Sequence, residues 1–82
     1  MKESSIGNKI IRLIAQHLDL EPSKVTPDTS FEKDLNVDSM DAMDLLVVIN
    51  EEFGTKIPPE QMEKIQTVQE MIDAVKSELE IT

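Results

Sequence analysis

Apolar side chains recur every three or four residues in three separate stretches of this 82-residue chain, and no other feature constrains the fold as strongly. Such spacing places the apolar positions on one face of a helix. The first stretch follows Ser4 or Ser5, either of which is a suitable helix cap. Its apolar positions are Ile6, Ile10, Ile14 and Leu18.

The second stretch follows Asp38, whose carboxylate can accept hydrogen bonds from the amides of a first helical turn. Ser39 is then expected in that first turn, and Gly54 ends the helix. The acidic side chains share one arc, with Val48 in its middle: Asp41, Asp44, Glu51 and Glu52. The apolar side chains share the opposite arc, interrupted by Asn50: Ala42, Met43, Leu46, Ile49 and Phe53.

The third stretch begins after Thr67, which forms a capping box with Glu70. Its apolar positions again have helical spacing: Val68, Met71, Ile72, Val75 and Leu79. A short helix is expected before it, from Pro59 to about Lys64, since proline favours the first helical position.

A long segment without helical periodicity separates the first two stretches, from Asp19 to Asp38. Thr29 and Glu32 resemble a capping box, which predicts one helical turn over residues 31–34. Asn36 is expected in a left-handed conformation. The loop also contains two prolines, Pro22 and Pro27, and three apolar anchors, Val25, Phe31 and Leu35.

No stretch alternates with the period of a β-strand. We therefore predict an all-α fold: a small four-helix bundle of three main helices and one short helix, with a long loop between the first and second. Residues 1–82 form one domain, with a core over about residues 6–79.

The charge of the chain bounds its function. Seventeen acidic residues against eight basic ones give a net charge of −9, which disfavours nucleic acid and attracts proteins with basic patches. No cysteine is present, so any thiol must be supplied from outside. The longest apolar run is far too short to span a membrane. We expect a soluble, cytoplasmic protein that is monomeric, with no membrane insertion and no metal site.

Ser39 is the residue best placed for chemistry, because it lies between two aspartates at a predicted helix start. A serine nucleophile in a hydrolase needs a nearby base, and the single histidine, His17, lies at the end of the first helix. We therefore predict that the chain is not an enzyme and that another enzyme modifies Ser39.

The motif around Ser39 resembles that of acyl carrier proteins. The matching residues are Phe31, Asp34, Leu35, Asp38, Ser39, Met40 and Asp41, followed by Glu51-Glu52-Phe53 and Ile57-Pro58. The resemblance covers about residues 6–79. It implies that Ser39 receives 4′-phosphopantetheine from coenzyme A through a phosphopantetheinyl transferase, and that the thiol of this group carries acyl thioesters.

The resemblance also implies two surfaces. One is a docking face for basic patches on the transferase, the synthases and other acyl-processing enzymes: Asp38, Met40, Asp41, Asp44, Val47, Val48 and Glu51. The other is an interior that can shelter the acyl chain: Met43, Leu46, Val47, Met62, Ile65 and Ile72.

Several alternatives stay open at this level. The cargo is a fatty acyl chain, a polyketide or specialised lipid intermediate, or an amino acid as in peptidyl and D-alanyl carriers. A non-catalytic adaptor protein with an acidic helix is a further possible function.

A calcium-binding site is disfavoured. Asp34, Asn36 and Asp38 have the spacing of an EF-hand loop, but Leu45 stands where that loop requires glutamate.

Overall fold

The structure is a computed structural model that describes the backbone of residues 2–81 and the side chains of residues 6–80. In this range the chain forms four α-helices: α1 (Lys2–His17), α2 (Ser39–Phe53), α3 (Pro59–Met62) and α4 (Val68–Ile81). The loop between α1 and α2 contains one 3₁₀ turn, Pro22–Lys24. The predicted all-α bundle with its long first loop is confirmed.

The start of α1 differs from the prediction. The helix begins at Lys2 and continues through Ser4 and Ser5, whose side chains lie outside the described residues. Lysine, glutamate and serine lose at most about 0.5 kcal/mol relative to alanine in a helix, so a potential cap does not force the helix to start there.

The core lies where α1 packs against both α2 and α4, while α3 packs against α2. Each fully buried aliphatic side chain contributes roughly 1.5–3 kcal/mol relative to an exposed one. Leu45, which belonged to neither of the two arcs predicted for the second helix, is also fully buried. The largest fully buried side chains among those described come from the three long helices: Ile10, Ile14, Leu45, Ile49, Val68, Met71 and Val75.

The long first loop is tied to the start of α4. The amide of Phe31 donates to the carbonyl of Gln66 over 2.9 Å, and the amide of Val68 donates to the carbonyl of Thr29 over 3.0 Å. Two predicted anchors, Val25 and Phe31, are buried, and Leu35 packs against the core from a partly exposed position. The loop is therefore a layer of the fold with a fixed path.

The turn over residues 31–34 exists, but Ser30 caps it instead of Thr29. The hydroxyl of Ser30 accepts from the amide of Lys33 at 3.1 Å, and the carboxylate of Asp34 accepts from the amide of Ser30 at 2.8 Å. Thr29 is buried, and its hydroxyl accepts from the amide of Thr26 at 2.9 Å. The predicted Thr29 and Glu32 capping box is wrong because burial commits Thr29 to the preceding turn.

Helix α2 ends at Gly54 as predicted, since Gly54 has φ 70°, a left-handed conformation that glycine adopts without strain.

The polar residue on the apolar side of α2, Asn50, has a structural function. Its amide oxygen accepts from the hydroxyl of Thr55 at 2.7 Å and the amide of Ile57 at 3.1 Å, while its amide nitrogen donates to the carbonyl of Ile57 over 3.1 Å. We name these three bonds the Asn50 clamp; it fixes the segment that leads into α3.

Helix α3 starts at Pro59 as predicted but ends at Met62, two residues early. The amides of Lys64 and Ile65 bond three residues back, to Gln61 and Met62, which is the tighter 3₁₀ pattern.

The capping box at the start of α4 is confirmed. The hydroxyl of Thr67 accepts from the amide of Glu70 at 3.3 Å, and the carboxylate of Glu70 accepts from the amide of Thr67 at 3.1 Å. Both bonds satisfy amides that the helix itself leaves without partners.

Candidate functional site

Ser39 lies in the first turn of α2, as predicted, and is its first residue because Asp38 caps the helix. The carboxylate of Asp38 accepts from the amide of Asp41 at 2.9 Å, and its carbonyl accepts from the amide of Ala42 at 2.9 Å. Asp38 itself has extended backbone angles, φ −87° and ψ −179°, so the helix cannot begin earlier. Ser39 consequently lies at the positive end of the helix dipole, where negative charge is stabilised.

The hydroxyl of Ser39 is exposed, and among the described residues it has no hydrogen-bond partner. Asp38, the residue before Ser39, caps the helix, so the Ser39 hydroxyl is not engaged in capping. The Ser39 hydroxyl is therefore free to react with a group presented by another molecule.

The segment before α2 holds Ser39 against the body of the fold. Asn36 has φ 55°, which confirms the predicted left-handed conformation and reverses the chain. The amide of Val37 then donates to the carbonyl of Phe31 over 2.8 Å, and both side chains are buried. Ser39 follows this anchored turn by two residues, so its position is set by packing on one side and by the helix on the other.

A cleft of about 390 Å³ opens beside Ser39. One wall is the loop turn from Ser30 to Lys33, and the other is the segment from Met62 to Gln66; Val37, Asp38 and Ala42 complete it. Polar and apolar side chains share the lining. The loop side of this cleft was not identified from the sequence, because the only local signal there was a capping pattern displaced by one residue.

The six residues predicted to shelter an acyl chain fall into three groups. Met62 and Ile65 line the cleft beside Ser39. Leu46 and Ile72 are buried in the core, and Met43 packs against it. Val47 is 54% exposed, so it lies on the outer surface of α2. Of the three groups, only Met62 and Ile65 lie on the cleft beside Ser39.

The predicted docking face lies on α2 and its cap, and all seven residues are exposed except Val48, which is half-buried. Val48 lies in the middle of the acidic arc but is half-buried, so the apolar side chain most exposed on this face of α2 beyond Met40 is Val47. The outer stripe has spacings of four, three and four residues: Met40, Asp44, Val47 and Glu51. Met40 is 76% exposed, which leaves an apolar contact next to Ser39.

No lysine, arginine or histidine occurs in α2, which carries four carboxylates. One of them, Glu52, is 4.0 Å from the ammonium of Lys9, and both side chains are largely exposed. The single histidine, His17, is exposed in the last turn of α1 and does not line the cleft. Among the described residues, no three His, Cys, Asp or Glu side chains are arranged to hold a metal ion.

The acidic arc of α2 leads to a prediction about magnesium. Magnesium is expected to raise the melting temperature because divalent cations reduce repulsion among the carboxylates of the folded state. In a domain of this size, about 1 kcal/mol of added stability raises Tm by roughly 4–8 °C. The increase in Tm is measured by thermal unfolding at increasing MgCl₂ concentration, with NaCl of equal ionic strength as control. A flat MgCl₂ titration would argue against this repulsion.

Comparison with known proteins gives two findings. A family profile described as "Phosphopantetheine attachment site" matches residues 8–75. An acyl carrier protein of Thermosynechococcus vestitus is 40% identical over 79 residues, which cover 96% of this chain and 98% of that protein.

Proposed function

The chain belongs to the acyl carrier protein family, whose attachment domain binds 4′-phosphopantetheine covalently, and on that premise we propose that Ser39 is the attachment residue. The observation that carries the proposal is the exposed Ser39 hydroxyl at the start of α2, with Asp38 performing the capping. These residues fit the group: the hydroxyl is accessible, the helix dipole favours a phosphodiester, and a cleft lies alongside.

Attachment follows from the chemistry of the hydroxyl. The oxygen of Ser39 attacks the phosphorus that bears the pantetheine in coenzyme A, a new O–P bond forms, and the bond to the departing adenosine bisphosphate breaks. The hydroxyl proton needs a base, and His17 is the only histidine of the chain. The transferase supplies that base, so Ser39 can be modified although the chain provides no general base of its own.

When bound, the prosthetic group supplies a thiol that holds acyl groups as thioesters, a function that this cysteine-free chain cannot provide from its own residues. The residues of the chain bind and present the group: Asp38 fixes the helix start, and Met62 and Ile65 offer apolar contact in the cleft.

The cargo is proposed to be an acyl intermediate of fatty acid biosynthesis or of a related polyketide or specialised lipid pathway. The 40% identity to an acyl carrier protein supports an acyl cargo over the amino acid of a peptidyl or D-alanyl carrier. We further propose that residues 1–82 work as one monomeric carrier domain in the cytoplasm. None of the helices described is long and apolar enough to cross a membrane.

The docking face is proposed to bind basic patches on the transferase and on acyl-processing enzymes. Charged contacts of this kind mainly accelerate encounter and are weakened by salt. The apolar side chains of Met40 and Val47 add contact between the acids. Weak, rapidly exchanging complexes suit a carrier that visits several enzymes in turn.

Reversing one charge on this face tests the docking proposal. Asp44→Lys is expected to lower kcat/KM of the transferase by about tenfold at low salt, mostly through KM, because close like charges across an interface are costly. The matched control is Glu80→Lys, the same change in net charge at an exposed position of α4. Equal losses for the two variants would show that net charge, and not this face, controls association.

The experiment that tests the proposed function is an intact mass of the purified protein before and after incubation with coenzyme A, magnesium and a broad-specificity phosphopantetheinyl transferase. One added phosphopantetheine, or one already present, supports the carrier. No addition would reject it and leave the acidic helical adaptor as the better explanation.

A further inference from the structure

Among the residues that the structure describes, Lys33 is the single cation that lines the cleft beside Ser39. The other charged groups of the lining are the carboxylates of Glu32, Asp38 and Glu63. A phosphodiester on Ser39 adds one more negative charge to this acidic surrounding. Among the described residues that line the cleft, only Lys33 can compensate that charge.

The turn that carries Lys33 is fixed next to the start of α2. The amide of Lys33 donates to the hydroxyl of Ser30 over 3.1 Å, and the amide of Val37 closes the loop by donating to the carbonyl of Phe31 over 2.8 Å. The buried ring of Phe31 anchors the turn in the core. Lys33 and Ser39 therefore stay on the same cleft while the exposed side chain of Lys33 can reorient.

The ammonium of Lys33 is available for a new partner. Within residues 6–80 it takes part in no ion pair or hydrogen bond. Two neighbouring carboxylates already accept backbone amides, Asp34 from Ser30 and Asp38 from Asp41, and the other two carboxylates of the lining, Glu32 and Glu63, form no ion pair with Lys33. An exposed carboxylate that is already hydrogen-bonded competes less well for the ammonium than a phosphodiester with free oxygens.

We propose that Lys33 is a positioning residue for the prosthetic group: its ammonium pairs with the phosphodiester on Ser39 and draws the pantetheine arm into the cleft. This inference rests on the proposed attachment at Ser39. The pair is solvent-exposed, so the populated fraction of the docked arm changes by roughly two- to fivefold and not completely. The arm is therefore held near Met62 and Ile65 between visits to enzymes and is released easily.

The test compares the apo and phosphopantetheine-loaded forms of four proteins by ¹H–¹⁵N and ³¹P NMR: the wild type, Lys33→Ala, Lys33→Arg and Lys56→Ala. Lys56 is exposed in the segment between α2 and α3 and does not line the cleft, so its variant matches the loss of charge. Intact mass is measured first, which separates attachment itself from the position of the arm.

In the wild type, loading is expected to shift the amides of Phe31, Met62, Ile65 and Gln66. Lys33→Ala is expected to reduce these shifts at least twofold and to change the ³¹P shift, whereas Lys33→Arg and Lys56→Ala keep both. Salt at 0.5 M, which shortens the screening length to a few ångströms, should remove the difference between wild type and Lys33→Ala. Full loading with the same shifts in Lys33→Ala as in the wild type, or equal losses in Lys33→Ala and Lys56→Ala, would overturn the inference.

Discussion

Replacing Ser39 with alanine is expected to abolish phosphopantetheine attachment completely, because the substitution removes the oxygen that forms the phosphodiester. Folding should be preserved. The Ser39 side chain is exposed and makes no hydrogen bond among the described residues, and alanine is the better helix former. The free energy of unfolding should therefore change by no more than about 0.5 kcal/mol, which corresponds to roughly 2–4 °C in Tm.

Intact mass and thermal unfolding of the same samples measure both effects. Ser77→Ala is the matched control, since Ser77 is an exposed serine in α4. The Ser77→Ala variant should receive phosphopantetheine on Ser39 as fully as the wild type. A mass increase in Ser39→Ala would show that another hydroxyl is the attachment site. If Ser39→Ala did not fold, its lack of modification would not identify the attachment residue. The unfolding curve shows whether the variant is folded.

Replacing Asn50 with leucine is expected to destabilise the protein by about 2–3 kcal/mol, because unsatisfied polar groups in partly buried surroundings cost about 1–3 kcal/mol each. The substitution removes the Asn50 clamp and leaves the hydroxyl of Thr55 and the amide and carbonyl of Ile57 without these partners. The side chains of Thr55 and Ile57 are buried, so water replaces the lost bonds poorly. Tm should fall by roughly 10–20 °C.

Chemical and thermal denaturation measure the loss, with Asn8→Leu as the matched control at an exposed position of α1. The isosteric Asn50→Asp sharpens the test. A carboxylate can still accept from Thr55 and from the amide of Ile57, but it cannot donate to the carbonyl of Ile57. Its loss of stability should therefore lie between those of Asn8→Leu and Asn50→Leu. Equal stability of Asn50→Leu and Asn8→Leu would exclude the clamp as a stabilising element.

The Asn50 clamp also connects stability to the site. It fixes the segment that leads into α3, and the residues at and after the end of α3, Met62 and Ile65, form one wall of the cleft beside Ser39. A weakened clamp should therefore loosen that wall, and hydrogen exchange of the α3 amides in Asn50→Asp measures the loosening.

Features set within a few residues were predictable from the sequence. The Asp38 cap, the left-handed Asn36, the glycine that ends α2 and the Thr67 and Glu70 capping box all follow from bonds or backbone angles local to the chain. Ser39 at the start of α2 is a consequence of the first of these. Helical spacing of apolar residues likewise predicted the all-α class, because each long helix buries one stripe.

Features that depend on distant partners were not predictable. Ser30 caps the loop turn because packing buries Thr29, and Val47 is more exposed than Val48 because α2 is oriented with Leu45 in the core.

The sequence by itself determined the three long helices, the caps at the starts of α2 and α4 and the serine at the start of α2, since these depend on apolar spacing and on hydrogen bonds between near neighbours in the chain. Only the tertiary structure decided what surrounds that serine. The cleft brings the turn at Lys33 against Met62 and Ile65, about thirty residues further along the chain. Asn50 likewise acquires its function only where the chain folds back to Ile57. The orientation of packed elements depends on the whole core at once, and no local pattern encodes it.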